Sequence, residues 1–298
     1  MKKYIVVTGG AGFIGSNLIN KLLQYTNFKI LSIDNYSTGK KKNHIFNKRV
    51  KYIKSDTKKI SKTLNNYKKK IKVIFHFGEF ARIYQSFLKM NECIESNTIG
   101  TNEVFNFCLK NRIKLIYSAT SASIGNKGND KNLSPYAFTK AKNLEMLENL
   151  KKWFNFKYEV IFFYNVYGPR QISRGNMATV IGIFENCFKS NKPLPIVKPG
   201  SQSRRFTHIQ DTIKVCYKAW KLNKNRYYSI SNKKSYTILK AAKLFNHNII
   251  LLAPRKGERY ASALASMSLS NKVHKNFGKI SLKSYVANFV KKHRKKHV

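Results

Sequence analysis

The chain has 298 residues, 42% hydrophobic and 13% aromatic, with 58 Lys+Arg against 13 Asp+Glu and a formal charge of +45. That length fits one large or two modest domains, and apolar side chains along the whole chain exclude a disordered polycation. The charge admits either a polyanion partner, such as nucleic acid or an anionic membrane surface, or a general bias toward Lys, Asn, Ile and Phe. Lysines run from Lys2 to Lys296 without gathering in one arm, which favours the bias and makes a nucleic-acid partner a remote alternative.

Met1-Lys2-Lys3 and the apolar run after it imitate the start of a signal peptide, but Gly9, Gly10, Gly12 and Gly15 break the run. No stretch approaches the roughly 18 apolar residues that would span a membrane. The four cysteines, Cys93, Cys108, Cys187 and Cys216, form no CxxC pair and no metal-ligand spacing. A cytoplasmic chain with buried thiols and no metal is expected.

Short apolar runs at Tyr4–Thr8, Lys29–Asp34, Val50–Ser55, Val73–Phe77, Leu115–Ser118 and Tyr158–Phe163 predict strands covered on both faces. Longer patterns at Phe13–Tyr25, Asn91–Arg112 and Ser134–Phe154 predict helices between them. Such alternation predicts an α/β fold, a doubly wound parallel sheet. After Pro169 the pattern loosens, with Pro193, Pro195, Pro199 and Gly200 marking loops, and residues 291–298 form a basic tail.

Between the first strand and first helix, glycines fall at Gly9, Gly12 and Gly15. A strand-to-helix turn that must touch a pyrophosphate needs positions without a Cβ, and the helix start supplies N–H donors and a positive dipole end. Asp34 ends the second predicted strand, where an acid accepts hydrogen bonds from adenosine ribose hydroxyls and repels a 2′-phosphate. The three features together predict a dinucleotide site that takes NAD rather than NADP.

Tyr136 and Lys140 lie one turn apart on a helix with Ser134 as N-cap and Pro135 at its first position. The bare YxxxK spacing recurs at Tyr25, Tyr36, Tyr217 and Tyr236, so context alone separates the copies. A free tyrosine titrates at about 10, and a nearby ammonium, a helix start or an oxidised nicotinamide would each favour its phenolate. Thr120 or Ser118, at the end of the preceding strand, could bind the same substrate oxygen. The plainer alternative has Tyr136 packing, Lys140 solvated and the hydroxyls capping; next to a dinucleotide site the catalytic reading is preferred.

These residues resemble the extended short-chain dehydrogenase/reductase superfamily, the NAD-dependent epimerase/dehydratase family and its UDP-glucose 4-epimerase-like members in particular. The matching pieces are TGGAGFIGSN at 8–17, DNYSTGKK at 34–41, HFGEFAR at 76–82, ESNTIGT at 95–101, SATSASIG at 118–125, SPYAFTK at 134–140, YNVYGPRQ at 164–171 and RRFTHIQD at 204–211. The resemblance implies a Rossmann-type NAD-binding domain over residues 1–165 and a smaller C-terminal α/β substrate-binding domain over 166–298, some segments of which return to the first.

By position, it implies that Gly9, Gly12, Phe13, Ile14, Gly15, Asp34, Asn35, Asp56, Phe77, Gly78 and Asn97 bind the cofactor, together with Tyr136 and Lys140. Thr120, Tyr136 and Lys140 match the catalytic triad, and Ser118, Thr120, Asn165, Arg204 and Arg255 the substrate contacts. For the arginines, a guanidinium fork also suits a diphosphate on electrostatic grounds. Glu79 stands where the family usually has a small residue, the stretch Gly125–Ser134 is short, and Ala263 and Ala265 occupy a region where an acid is common. The implied activity is 4-epimerisation of a nucleoside-diphosphate sugar by a homodimer, with 4,6-dehydration as the alternative.

Overall fold

The computed structural model describes residues 3–123, 131–254 and 273–294. Eight strands form one all-parallel sheet. Six come from residues 4–163: β1 (Tyr4–Thr8), β2 (Lys29–Asp34), β3 (Val50–Lys54), β4 (Ile71–His76), β5 (Lys114–Thr120) and β6 (Tyr158–Phe163). Their spatial order is β6-β5-β4-β1-β2-β3, and Tyr227–Asn232 followed by Val273–Gly278 extend the β6 edge. This is the Rossmann-type α/β architecture.

Alternation along the strands explains why both faces are covered. Ile5, Val7 and Phe75 point to one side, where they meet Leu18, Ile19 and Leu22 of α1 (Phe13–Tyr25) and Ile213 and Cys216 of the helix Ile209–Leu222. Val6, Leu31, Ile33 and Ile74 point to the other, against Val104 and Phe105 of the helix Thr101–Lys110 and Leu147 of the helix Pro135–Phe154. A strand buried on both faces has to be apolar throughout.

A third cluster lies past residue 166 and gathers Tyr167, Phe184, Leu194, Tyr236, Phe245 and Val286. Short pairings flank it, Leu194–Val197 with Ile249–Leu252 and Ser203–Arg204 with Tyr236–Thr237.

The long helix expected over 91–112 is interrupted. An α-turn at Met90–Ile94 passes into a π-helical stretch at Glu95–Gly100 before α-helix resumes at Thr101. The widened turn leaves the Asn97 carbonyl to accept from Asn143 Nδ2 at 2.6 Å, across to the neighbouring helix. Gly100 completes the approach to the segment after β3, since a Cβ there would lie 2.3 Å from Thr57 Oγ1.

Candidate active site

The chain leaves β1 toward β2 on one side and returns through β4 on the other, so the carboxyl ends of β1 and β4 diverge. In doubly wound sheets ligands bind at that switch point. A cleft of about 700 Å³ lies there, lined by the ends of β1, β2, β4, β5 and β6 and by the residues around Met177, Thr179 and Arg204.

Its floor is the glycine turn. Gly9 has φ +68°, and a Cβ on it would lie 2.8 Å from the Phe77 carbonyl oxygen. A Cβ on Gly15 would come within 2.2 Å of the Gly9 oxygen. The backbone of the turn is thus pressed against the loop after β4, and α1 starts at Gly12 with no side-chain cap and no acid in its first turn. That leaves a positive helix start open to an anion, the environment a pyrophosphate requires. Phe13, Ile14, Phe77 and Gly78 also line the cleft.

Asp34, 7% exposed, lines the cleft at the carboxyl end of β2. Its carboxylate accepts from Ala11 N at 2.9 Å and Tyr36 N at 2.8 Å. Burial raises its pKa, opposed by those two backbone bonds. Ribose hydroxyls would restore part of the lost solvation, so the residues present fit a dinucleotide. Asn35 Nδ2 donates to Asp56 Oδ2 at 2.9 Å, and both residues line the same end.

On the opposite wall β5 runs two residues further than its apolar pattern predicts and carries Ser118 and Thr120 into the cleft. The helix Pro135–Phe154 begins as expected, with Ser134 Oγ accepting from Ala137 N at 3.1 Å and proline in its first turn. Tyr136 therefore faces the cleft, as Thr120 does. Burial pushes the Tyr136 phenol up to about 12; the Thr120 hydroxyl pulls it down, the Glu79 carboxylate pushes it further up, and Arg82 pulls it down.

Lys140 does not stand free beside that phenol. Its ammonium is 4% exposed and ion-paired with Glu79, itself 3% exposed, and it also donates to the Ser118 carbonyl. Burial lowers the Lys140 pKa, with Glu79 opposing. The expectation that the Lys140 ammonium, with the helix start and an oxidised nicotinamide, favours the Tyr136 phenolate did not include this acid.

Among the other expected contacts, Asn165 and Arg204 line the cleft on the side of the third core cluster. Asn97 is fully buried and does not: its amide accepts from Phe80 N at 2.7 Å and donates to Phe80 O at 3.1 Å, so it fastens the loop after β4. Arg255, Ala263, Ala265 and most of the 125–134 stretch lie outside the described residues. Arg82, which sequence reasoning passed over, lines the cleft with Nε donating to the Met177 carbonyl at 2.8 Å. Its only signal was a basic residue shortly after the β4 loop.

The family model described as "NAD dependent epimerase/dehydratase family" matches residues 5–231. A Methanocaldococcus jannaschii protein described as "Putative UDP-glucose 4-epimerase" is 29% identical, over 86% of this chain and 88% of its own length. An ADP-L-glycero-D-manno-heptose-6-epimerase of Brachyspira hyodysenteriae is 31% identical, over 71% of this chain and 70% of its own. The crystal structure of the Thermus thermophilus UDP-glucose 4-epimerase in complex with NAD superposes with a TM-score of 0.83 at 22% identity, covering 98% of this chain and 99% of that one.

Proposed function

This chain belongs to the NAD-dependent epimerase/dehydratase family, and from that premise we propose that it inverts C4′ of a nucleoside-diphosphate hexose. UDP-glucose and UDP-galactose are the pair proposed first. The observation that carries the reading is a single cleft that holds the glycine cradle, Asp34, Thr120 and Tyr136 together.

NAD held by the glycine turn and Asp34 would supply reversible hydride transfer at C4′, with no net redox over the cycle. Tyr136 takes the C4′ hydroxyl proton and gives it back at the end of the cycle. Thr120 hydrogen-bonds the same oxygen and holds it against Tyr136. Arg204 and Asn165 face the diphosphate, anchoring the nucleotide while the 4-keto sugar turns over in the cleft. The Asp34 carboxylate, the Gly9–Gly15 turn and the Asn35–Asp56 pair orient the cofactor. Beyond Thr120, Ser121 and Ala122 supply no acid for removing water, which ranks 4,6-dehydration second.

One apolar face suits a second copy of the chain. Met90, Ile94 and Ile99 on one helical segment, and Phe138, Met146 and Trp153 at helical spacing on another, are all exposed. We assign this face to a homodimer, tested by sedimentation against concentration. Among the described residues no helix is long and apolar enough to cross a membrane. A reducing, cytoplasmic setting is proposed from the free thiols, of which Cys93, Cys108 and Cys216 are buried.

The functional test incubates NAD-loaded protein with UDP-glucose, UDP-galactose and their N-acetylated and uronate counterparts. Interconversion of a 4′-epimeric pair supports the reading; no conversion of any member refutes it for that panel.

A further inference from the structure

Glu79 is an acid inserted into the loop after β4, and the proton positions around it follow from its neighbours. Thr8 Oγ1 already accepts from Phe77 N and Gly78 N, so its hydrogen goes to His76 Nδ1 at 2.7 Å. His76 is then protonated on Nε2 and donates to Thr101 Oγ1 at 3.0 Å. Thr101 in turn donates to Glu79 Oε1 at 3.1 Å. Tyr117 donates to the same oxygen at 3.0 Å, its own oxygen accepting from Asn143 Nδ2 at 3.0 Å. Lys140 donates to Oε2, while Ser118 Oγ gives its hydrogen to the His76 carbonyl at 3.0 Å and lies 3.4 Å from that same Oε2.

Two hydroxyls and one ammonium thus converge on one buried carboxyl group as donors. A carboxyl group surrounded by donors is a carboxylate, and a buried network satisfied in one sense is rigid. A buried ion pair of this kind is poor evidence of stabilisation, because removing two charges from water offsets much of their attraction. Its position is more telling, since the lysine it neutralises is the one a catalytic tyrosine would use.

We propose that Glu79 is a positioning residue that acts through Lys140: it fixes the ammonium and balances its charge, so that the positive charge releasing the Tyr136 proton is supplied by the oxidised cofactor. The charged and titratable groups around the Tyr136–Lys140 couple support this. Burial pushes His76 down to about 4 and Cys93 up to about 11, so both are neutral at working pH. Tyr117 is held well above the ordinary phenol value. Among the described residues, Arg82 and the Lys140–Glu79 ion pair are what else faces the couple, and that pair is neutral taken together. The base is therefore quiet until the cofactor is bound and oxidised, which couples proton removal to hydride removal.

This inference rests on the proposed role of Tyr136, and its test separates the two. Protein carrying ¹³Cζ-tyrosine is examined by NMR without cofactor, Tyr136 being assigned by the resonance lost in Tyr136→Phe. In Glu79→Gln, which keeps the shape and removes the charge, the phenolate fraction at pH 10 rises about tenfold. Glu79→Asp restores the wild-type fraction. Thr101→Val, which removes a donor without changing charge, lowers the melting temperature and leaves the fraction unchanged. An unchanged or smaller phenolate fraction in folded Glu79→Gln overturns the proposal. The UDP-hexose panel is run separately, so failure of epimerisation leaves the NMR result standing.

Discussion

Replacing Asp34 by Asn tests the cofactor site at its most constrained point. The two side chains have nearly the same shape, so the effect comes from charge and from donor–acceptor pattern. Both carboxylate oxygens accept from backbone N–H groups, Ala11 at 2.9 Å and Tyr36 at 2.8 Å, in a position 7% exposed. An amide offers one oxygen and one NH₂, so in either orientation a donor faces a donor. One backbone N–H is left unpaired at a cost of about 1–3 kcal/mol of stability. A charge-assisted bond to a ribose hydroxyl is also lost, worth about 1.5–3 kcal/mol, or about 10- to 150-fold in NAD affinity. Discrimination against NADP falls with it, because the repulsion of the 2′-phosphate is gone. Calorimetric titration with NAD and NADP, alongside a thermal melt, reads all three effects. If Asp34→Asn binds NAD as tightly as the wild type, Asp34 does not meet the ribose and the placement of the adenosine end is wrong.

Gly15→Ala forces a Cβ to 2.2 Å from the Gly9 oxygen, and Gly9 cannot retreat without losing its 2.8 Å bond to the Ile33 carbonyl. A melt should show a loss of about 1–3 kcal/mol, with NAD binding weakened in parallel. Tyr136→Phe should keep NAD affinity and lower turnover about 10²- to 10⁴-fold, as read by steady-state kinetics. In the wild type kcat/KM should climb from pH 6 to pH 9, because the phenol is raised to about 12 and NAD lowers it only in part. A limb that is complete near pH 6 would point to a histidine base instead, a role that His76, pushed down to about 4 and bonded at both ring nitrogens, does not fit.

Much of the fold was legible because it depends on local pattern. The edges of β1, β2 and β6 and of α1 fall where apolarity and Gly12 place them. The π-helical stretch was not legible, since it answers to Asn143 and Thr57 on other elements. The edge strand Val273–Gly278 escaped notice because its VHKNFG sequence is half polar and its burial is incomplete. Within the site, the glycine spacing, Asp34 and the capped start of the tyrosine helix were readable because each is a property of a few adjacent residues. Glu79 could be seen as an unusual acid, but its meaning lies in Thr101, Tyr117 and Lys140, which are 22, 38 and 61 residues away. Asn97 shows the converse: a motif match implied a cofactor contact, and the side chain turned inward to hold Phe80.

The proposed chemistry stands or falls on C4′ being oxidised and reduced in place by the same bound cofactor. NAD-loaded protein is supplied with UDP-galactose deuterated at C4′, in ordinary water, and the product is followed by NMR. The expected product is UDP-glucose with deuterium retained at C4′ and the nicotinamide again oxidised. UDP-glucose carrying solvent hydrogen at C4′, or UDP-galactose unchanged while Tyr136 and NAD are both in place, would contradict it.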